Sequence, residues 1–587
     1  MNYNLYDIQQ SDGGKKGTLK VLRKLLHLIK DEKKNLVVAF IAIIVNSGLN
    51  LAGPLLIGYT IDHYVQTKQM HGVLINSAIL LLIYLGALGA NYLQTQLMGS
   101  IGQRMLYTLR NSIFTKLLAL PVAFFNQNKA GDLISRINND TDKLNQFFSQ
   151  SLMRFIGSIV TMIGAGIFLL SINLRLGAAA LAPALFILLF TRLISPWVKR
   201  KNAVNMKSVG GMSAEVQESL NNFKTIIAFN RRDYFRERFD ETNVNNYKTA
   251  VGAGLANNLL MPVYGLFTNI AQLIVLAYGI YLITTGNFTV GMLISFLSYA
   301  NNFYSPLRQL AALWAGFQVA LAGWDRVSYI LSLDSDIRFE GLAHEEKDPV
   351  LLEFREVHFS YYGGREVLHS VNFKLERGKT YAFIGPTGGG KTTNASLIAR
   401  LYDPVKGTVL LNGRDIRSYP AEERSKKIGF ILQDPFLFTG TVMDNVLYGN
   451  DRYHDFSAEQ MQGVLRKAGL GILLEKFEDG LTTKVSSSGD GLSLGQKQLI
   501  AFIRAVLRDP ELLILDEATA NIDTVTEQLL EEILKKLPGD TTKVIIAHRL
   551  NTIENADEIF FVNAGEVTAA GSFDHALNML MEGKRAS

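Results

Sequence analysis

Residues 385–392 read Gly385-Pro386-Thr387-Gly388-Gly389-Gly390-Lys391-Thr392. The spacing GxxxxGK[ST] is that of a phosphate-binding loop. A short apolar run, residues 381–384, precedes it, and a helical stretch, residues 392–401, follows. Strand, glycine-rich turn and helix in this order aim backbone N–H groups and a helix N-terminus at phosphate oxygens. Lys391 then supplies positive charge to the β- and γ-phosphates, and Thr392 offers its hydroxyl to Mg²⁺. Thr393 belongs to the same candidate set.

Strands are expected on both sides of this loop. Residues 351–360 alternate apolar and polar positions, as a half-buried strand does. Residues 512–515 are an apolar strand ending on Asp516 and Glu517. A carboxylate at a strand end can hold Mg²⁺ through water, and the next one can orient or deprotonate an attacking water. Residues 544–547 form another apolar strand, followed by His548. This is the composition of a soluble α/β domain, expected over residues 349–587, after a charged linker at 334–348.

The chain before residue 334 is different. Residues 35–61, 72–103, 155–174 and 249–307 carry no charge. A membrane-spanning helix needs about 20 mostly apolar residues, and charge-free runs this long have no role in a soluble core. The expected helices are about 35–61, 73–99, 152–173, 175–196, 253–284 and 289–320. Lys and Arg crowd the segments after the second and fourth, including Arg104, Arg110, Lys199 and Arg231. The positive-inside bias places those segments and both termini in the cytoplasm. Residues 18–30 space apolar side chains between Lys and Arg, which suits a helix lying on the cytoplasmic leaflet. The first residues lack an apolar core of a signal peptide.

With 587 residues the chain exceeds one domain, and with no cysteine it excludes disulfides and thiolate metal sites. A formal charge of +6, placed beside apolar spans, suggests membrane topology rather than nucleic-acid binding.

Four features in fixed order carry a family resemblance: the loop at 385–392, Leu492-Ser493-Leu494-Gly495-Gln496, the pair Asp516-Glu517, and His548. Downstream of a long apolar half, they resemble the ATP-binding cassette (ABC) transporters of the exporter type. The resemblance implies an all-α six-helix membrane domain (residues 1–333) followed by an α/β P-loop ATPase domain. It implies ATP and Mg²⁺ as cofactors and a second half-transporter as partner. Tyr361 matches the aromatic that stacks on adenine, with Tyr362 an alternative beside it. Gln433 matches the glutamine that reaches Mg²⁺ and water, Asp523 the D-loop, and His548 the γ-phosphate switch. Ser493, Gly495 and Gln496 match the signature that closes on the partner's nucleotide. The sequences around Phe124-Phe125-Asn126 and residues 218–231 resemble the two cytoplasmic loops, each ending in a short coupling helix. After Gly571 the chain ends sooner than in most of the family, so the resemblance leaves a final helix in question.

The departures are informative. Leu494 stands where the signature has glycine, residues 485–491 depart from the usual acidic TEVGERG-like run, and Thr519-Ala520-Asn521 replaces Ser-Ala-Leu. In the family, unequal exporter pairs join a chain with the catalytic glutamate and an altered signature to one of the opposite kind. Glu517 with Leu494 resembles the first kind, and a homodimer tolerating Leu494 is the alternative. Asn257, Asn258, Asn269, Gln272, Asn301, Asn302, Tyr299 and Tyr304 lie within charge-free spans. Polar residues at membrane depth line a cavity or join helices, and the lack of charge favours a small amphipathic or lipophilic substrate over an ion. An importer of metal chelates on the same fold, or an ATP-gated channel or regulatory subunit, are the other functions compatible with it.

Overall fold

The computed structural model describes the chain apart from residues 1–2, 6–31, 336, 338, 340, 342–348, 363, 487–490, 517–523, 547–553, 572 and 586–587. It divides into two compact units. One consists of Gly13–Leu118 and Gly131–Ser332. The other joins Leu333–Ser587 to Ala119–Ala130 and the described residues 3–5. The amphipathic stretch at 18–30 and most of the linker lie outside the described residues.

The first unit is helical. Its long helices are α1 (Lys33–Thr60), α2 (Met70–Leu118), α4 (Leu152–Ile172), α5 (Leu174–Asn221), α7 (Arg232–Asn258), α8 (Leu260–Thr284) and α9 (Val290–Ser332). The intervening α3 (Val122–Gln127) belongs to the other unit, and α6 (Phe223–Ala228) is a single short turn. Lys33–Val65, Met70–Leu118, Ala130–Ile172, Leu174–Asn221 and Arg232–Thr284 are long and apolar enough to cross a membrane. At about 1.5 Å per residue, the 49 residues of α2 reach far beyond an apolar layer of about 30 Å. The expected spans at 73–99 and 175–196 are therefore the outer parts of helices that continue into the cytoplasmic connections.

The expected sixth span falls within α9, whose residues 299–306 include two tyrosines, two asparagines and a proline. Its polar groups are held by neighbouring helices. The fully buried Tyr299 donates its hydroxyl to Leu51 O at 2.7 Å, and Tyr304 donates to Ala180 O at 2.7 Å. These two tyrosines join helices rather than line a cavity, and Asn257 likewise pairs with Asn202 of α5. Near its start α9 approaches α1 so closely that a Cβ on Gly291 would lie 2.1 Å from Gly58 O. Asp62 Oδ1 accepts the Gly291 N–H there at 2.8 Å.

The second unit carries two principal sheets. β1 (Val350–Ser360), β2 (Glu366–Glu376), β4 (Lys406–Leu411) and β5 (Arg414–Asp415) form one in the order β2-β1-β4-β5. The other contains β3 (Thr380–Ile384), β6 (Ile428–Ile431), β7 (Leu512–Asp516), β8 (Thr542–Ile546), β9 (Glu558–Asn563) and β10 (Glu566–Ala569). Its order is β10-β9-β3-β8-β7-β6, parallel except where β10 turns back on β9. Parallel strands covered on both faces read as apolar runs, and every residue of β7 is buried. A closing helix is present after all: α12 (Phe573–Arg585) sets Phe573, Ala576 and Leu580 against Ile559 and Phe561 of β9.

Glu511, just before β7, joins both sheets. It accepts from Lys427 at 2.8 Å, Arg377 at 3.0 Å and Asn412 at 3.2 Å. Burial pushes its carboxyl up, but these three donors outweigh that and hold it below the usual value of 4.5. A lowered carboxylate stabilises the fold fully above its unfolded value, and the contribution is lost as pH falls through the folded value. Glu511→Gln is therefore expected to lower stability by about 1–2 kcal/mol at pH 7. In thermal melts the gap between the two proteins should close as pH is lowered below about 4.5.

Candidate functional site

The parallel sheet brings the candidate groups to one edge. Ile546 at the end of β8 pairs with Phe383 of β3 on one side and Asp516 of β7 on the other. Ile431 at the end of β6 pairs with Leu515. The chain thus leaves four neighbouring strands at one level, and the glycine-rich loop follows the first of them.

The loop needs its glycines for two separate reasons. Gly385 has φ 145° and Gly390 φ 114°, a region that L side chains avoid. The loop is also pressed onto β9, where a Cβ on Gly385 would lie 1.9 Å from Val562 O, and one on Gly389 2.6 Å from it. Gly390 starts α10 (Lys391–Ile398), in which Asn394 N is bonded to Gly390 O. The N–H groups of Lys391, Thr392 and Thr393 precede that intrahelical bond and lie at the positive end of the helix. Lys391 folds back over the loop, donating from Nζ to Gly385 O at 2.8 Å and Pro386 O at 3.0 Å. Pro386 and Thr387 complete the turn.

Thr392 Oγ1 donates to Asp516 Oδ1 at 3.3 Å, and Asp516 is buried. A hydroxyl and a buried carboxylate are hard oxygen donors of the kind Mg²⁺ takes. Gln433, exposed two residues beyond β6, stands at the same sheet edge. The described part of the site therefore fits a magnesium nucleotide. Glu517, Asp523 and His548 lie outside the described residues.

Tyr361 follows β1. Its hydroxyl is 3.2 Å from Thr393 Oγ1, and its ring meets Tyr402 edge-on at 5.3 Å. It is 39% exposed, and among the described residues Tyr362 shows no such bond to the loop. The two tyrosines, Tyr402 and Asn126 line a cleft of about 610 Å³. Asn126 of α3 donates to the Tyr402 hydroxyl at 2.6 Å. Sequence reading missed Tyr402 and this bond. The partners are 276 residues apart, and no periodicity links them.

The signature segment starts α11 (Leu494–Val506). Ser493 Oγ accepts from Gln496 N at 3.1 Å, while Gln496 Oε1 accepts from Ser493 N at 2.8 Å. This capping box uses the serine oxygen as acceptor and leaves its O–H free to donate. Gly495 lies in the first turn, and Leu494 beside it is 39% exposed.

Comparison with known proteins agrees with this geometry. Residues 36–307 match the ABC transporter transmembrane region and residues 368–520 the ABC transporter family. An uncharacterised ABC transporter ATP-binding protein of Bacillus subtilis, YfiC, is 32% identical over 98% of this chain and 96% of its own length. A fatty acid ABC transporter ATP-binding/permease protein of Mycobacterium bovis is 33% identical over 84% of this chain and 78% of its own. A multidrug resistance ABC transporter ATP-binding and permease protein of Lactococcus lactis subsp. cremoris is 29% identical over 95% of this chain and 93% of its own.

Two substitutions separate the candidate base and phosphate contacts. Tyr361→Ala is expected to weaken binding of a fluorescent ATP analogue about tenfold, the size of one stacking contact, while Tyr362→Ala changes it less than about twofold. Lys391→Ala should weaken it further, since it removes a charge-assisted contact to phosphate.

Proposed function

The chain belongs to the ABC transporters, and from that premise we propose that it is the catalytic half of an unequal pair that exports amphipathic or lipophilic molecules. It is an ATPase coupled to transport, of the exporter type, with its helices in the cell membrane and its nucleotide-binding domain in the cytoplasm. The finer reading concerns substrate, partner and the role of each residue.

Leu494 carries the pairing argument. An exposed leucine at the first position of α11 puts an apolar side chain where a signature meets a partner's phosphates. Glycine there permits close backbone approach, and leucine holds it off. Ser493 keeps its O–H donor, so the weakened group is the approach rather than the donor. In this reading Lys391, Thr392, Asp516, Gln433 and Glu517 form the competent site with the partner's signature, and Leu494 belongs to the weak one. Lys391 and the amides of the loop hold the phosphates, and Thr392, Asp516 and Gln433 hold Mg²⁺. Glu517 accepts a proton from water, and His548 contacts the terminal phosphate. Bound ATP supplies the free energy through loss of that phosphate.

A partner also suits the surface at α6. Leu220, Phe223 and Phe229 are exposed there, the last at 75%. Large apolar side chains so placed mark an interaction site. The substrate class is supported by the uncharged spans and by the names of the fatty acid and multidrug relatives.

The deciding experiment compares ATP turnover of the chain alone with turnover beside a co-expressed half-transporter that carries LSGGQ. Negligible turnover alone, restored by the partner and reduced about a hundredfold or more by Glu517→Gln, is the expected result. Robust turnover alone would overturn the unequal pair. Leu494→Gly should raise turnover of the chain alone, and ATP-driven dye accumulation in inverted vesicles should show the outward direction.

A further inference from the structure

The segment Tyr3-Asn4-Leu5 belongs to the cassette unit and lies on the region of α3, more than a hundred residues away in sequence. Among the described residues, the chain passes between its two units at 118–119, 130–131 and 332–333. α3 and Asn128 lie between the first two passages, and Asp334 follows the third. Residues 3–5 bind all of these. Tyr3 N–H donates to Gln127 Oε1 at 2.9 Å. Leu5 N–H donates to Asn128 Oδ1 at 3.0 Å, and Asn128 Nδ2 donates back to Tyr3 O at 2.8 Å. The same Nδ2 donates to Phe124 O at 2.7 Å, tying in the last turn of α3. Tyr3 Oη donates to Asp334 O at 3.0 Å. The Tyr3 and Leu5 side chains are buried, and the Tyr3 ring meets Phe124 edge-on at 6.1 Å.

α3 has reason to need such support. It is six residues long, and Pro121 at its N-cap makes no side-chain cap bond. A helix this short does not persist by its own hydrogen bonds, so its position depends on what packs against it. That is Tyr402, through Asn126. It is also residues 3–5, where the Asn128 carboxamide accepts from Leu5 N–H and donates to Tyr3 O.

We infer that residues 3–5 are a strap that fixes α3 to the passage at Asp334, and that Tyr3 is a positioning residue for coupling ATP turnover to movement of the membrane unit. The inference rests on the ATP-driven reading above. The strap joins two of the chain's own crossings from one unit to the other, so motion entering at one reaches the other without α3 slipping.

The test uses the full chain with its partner half-transporter. The chain has no cysteine, so Met70→Cys, at a position 73% exposed, carries a single environment-sensitive fluorophore. In that background the double variant Tyr3→Ala/Leu5→Ala should speed amide exchange at residues 122–128 about tenfold, with residues 350–360 unchanged. ATP turnover should stay within about twofold, while the fluorophore response to ATP with Mg²⁺ falls about threefold or more. Tyr3→Phe removes the hydroxyl that donates to Asp334 O and keeps the ring, and should shift exchange and response in the same direction by less. Unaltered exchange at 122–128 overturns the strap, and a response that falls only in proportion to turnover overturns its positioning role. Absence of turnover in the intact pair would instead count against the ATP-driven reading, while exchange would still decide the strap.

Discussion

The register that sets Ile546 opposite both Phe383 and Asp516 is the constraint on which the cassette's chemistry depends. A parallel ladder fixes strand ends relative to one another, and a shift by one residue would turn each side chain to the other face. Here it levels the glycine loop, Asp516 and the segment beyond Ile431. Thr392 then reaches Asp516 from a different element at 3.3 Å. The glycine loop adds a second fixing point, because its backbone is seated on Val562 O of β9 too closely for any side chain. The back of the loop is packed against β9, and the glycines allow its turn.

The helical unit meets a different constraint. In an apolar surrounding every backbone group must be satisfied within the protein, so polar side chains survive where they find a partner. Tyr299 and Tyr304 are placed by this rule, each donating to a carbonyl of another helix. They explain how α9 stays among apolar helices with so many polar residues. The glycines at Gly58 and Gly291 serve the same end by letting α1 and α9 touch backbone to backbone.

The sequence made some of this legible and not the rest, for physical reasons. The glycine loop and the strand before Asp516 could be read because local chemistry dictates them: positive φ, a buried parallel strand and a helix start. The membrane helices could be read because charge is excluded from them. Their true lengths could not, since a helix that leaves the apolar layer keeps its hydrogen bonds and changes only its surface. The roles of Tyr299 and Tyr304 stayed open, because a hydroxyl in a span suits a cavity or a neighbouring carbonyl equally. Tyr402–Asn126 and Tyr3–Asn128 are contacts between distant segments, and no local pattern marks either. The closing helix at Phe573–Arg585 is short and amphipathic, and its apolar face finds its place only against Ile559 and Phe561, a contact that no local pattern marks.

The signature segment shows that the start of α11 does not depend on the residue at position 494. Ser493 and Gln496 cap α11 through each other, and Gln496 Nε2 also donates to Lys476 O at 2.7 Å. The helix start is therefore complete within this chain, and Leu494 costs it nothing: leucine is a better helix former than glycine. What leucine alters is the outer surface, where an anion would have to approach the helix end. The stability of the cassette and the quality of its signature are thus separable. That separation is the physical condition under which a chain can keep Lys391, Asp516 and Glu517 while its own signature drifts, provided that another chain supplies a better one.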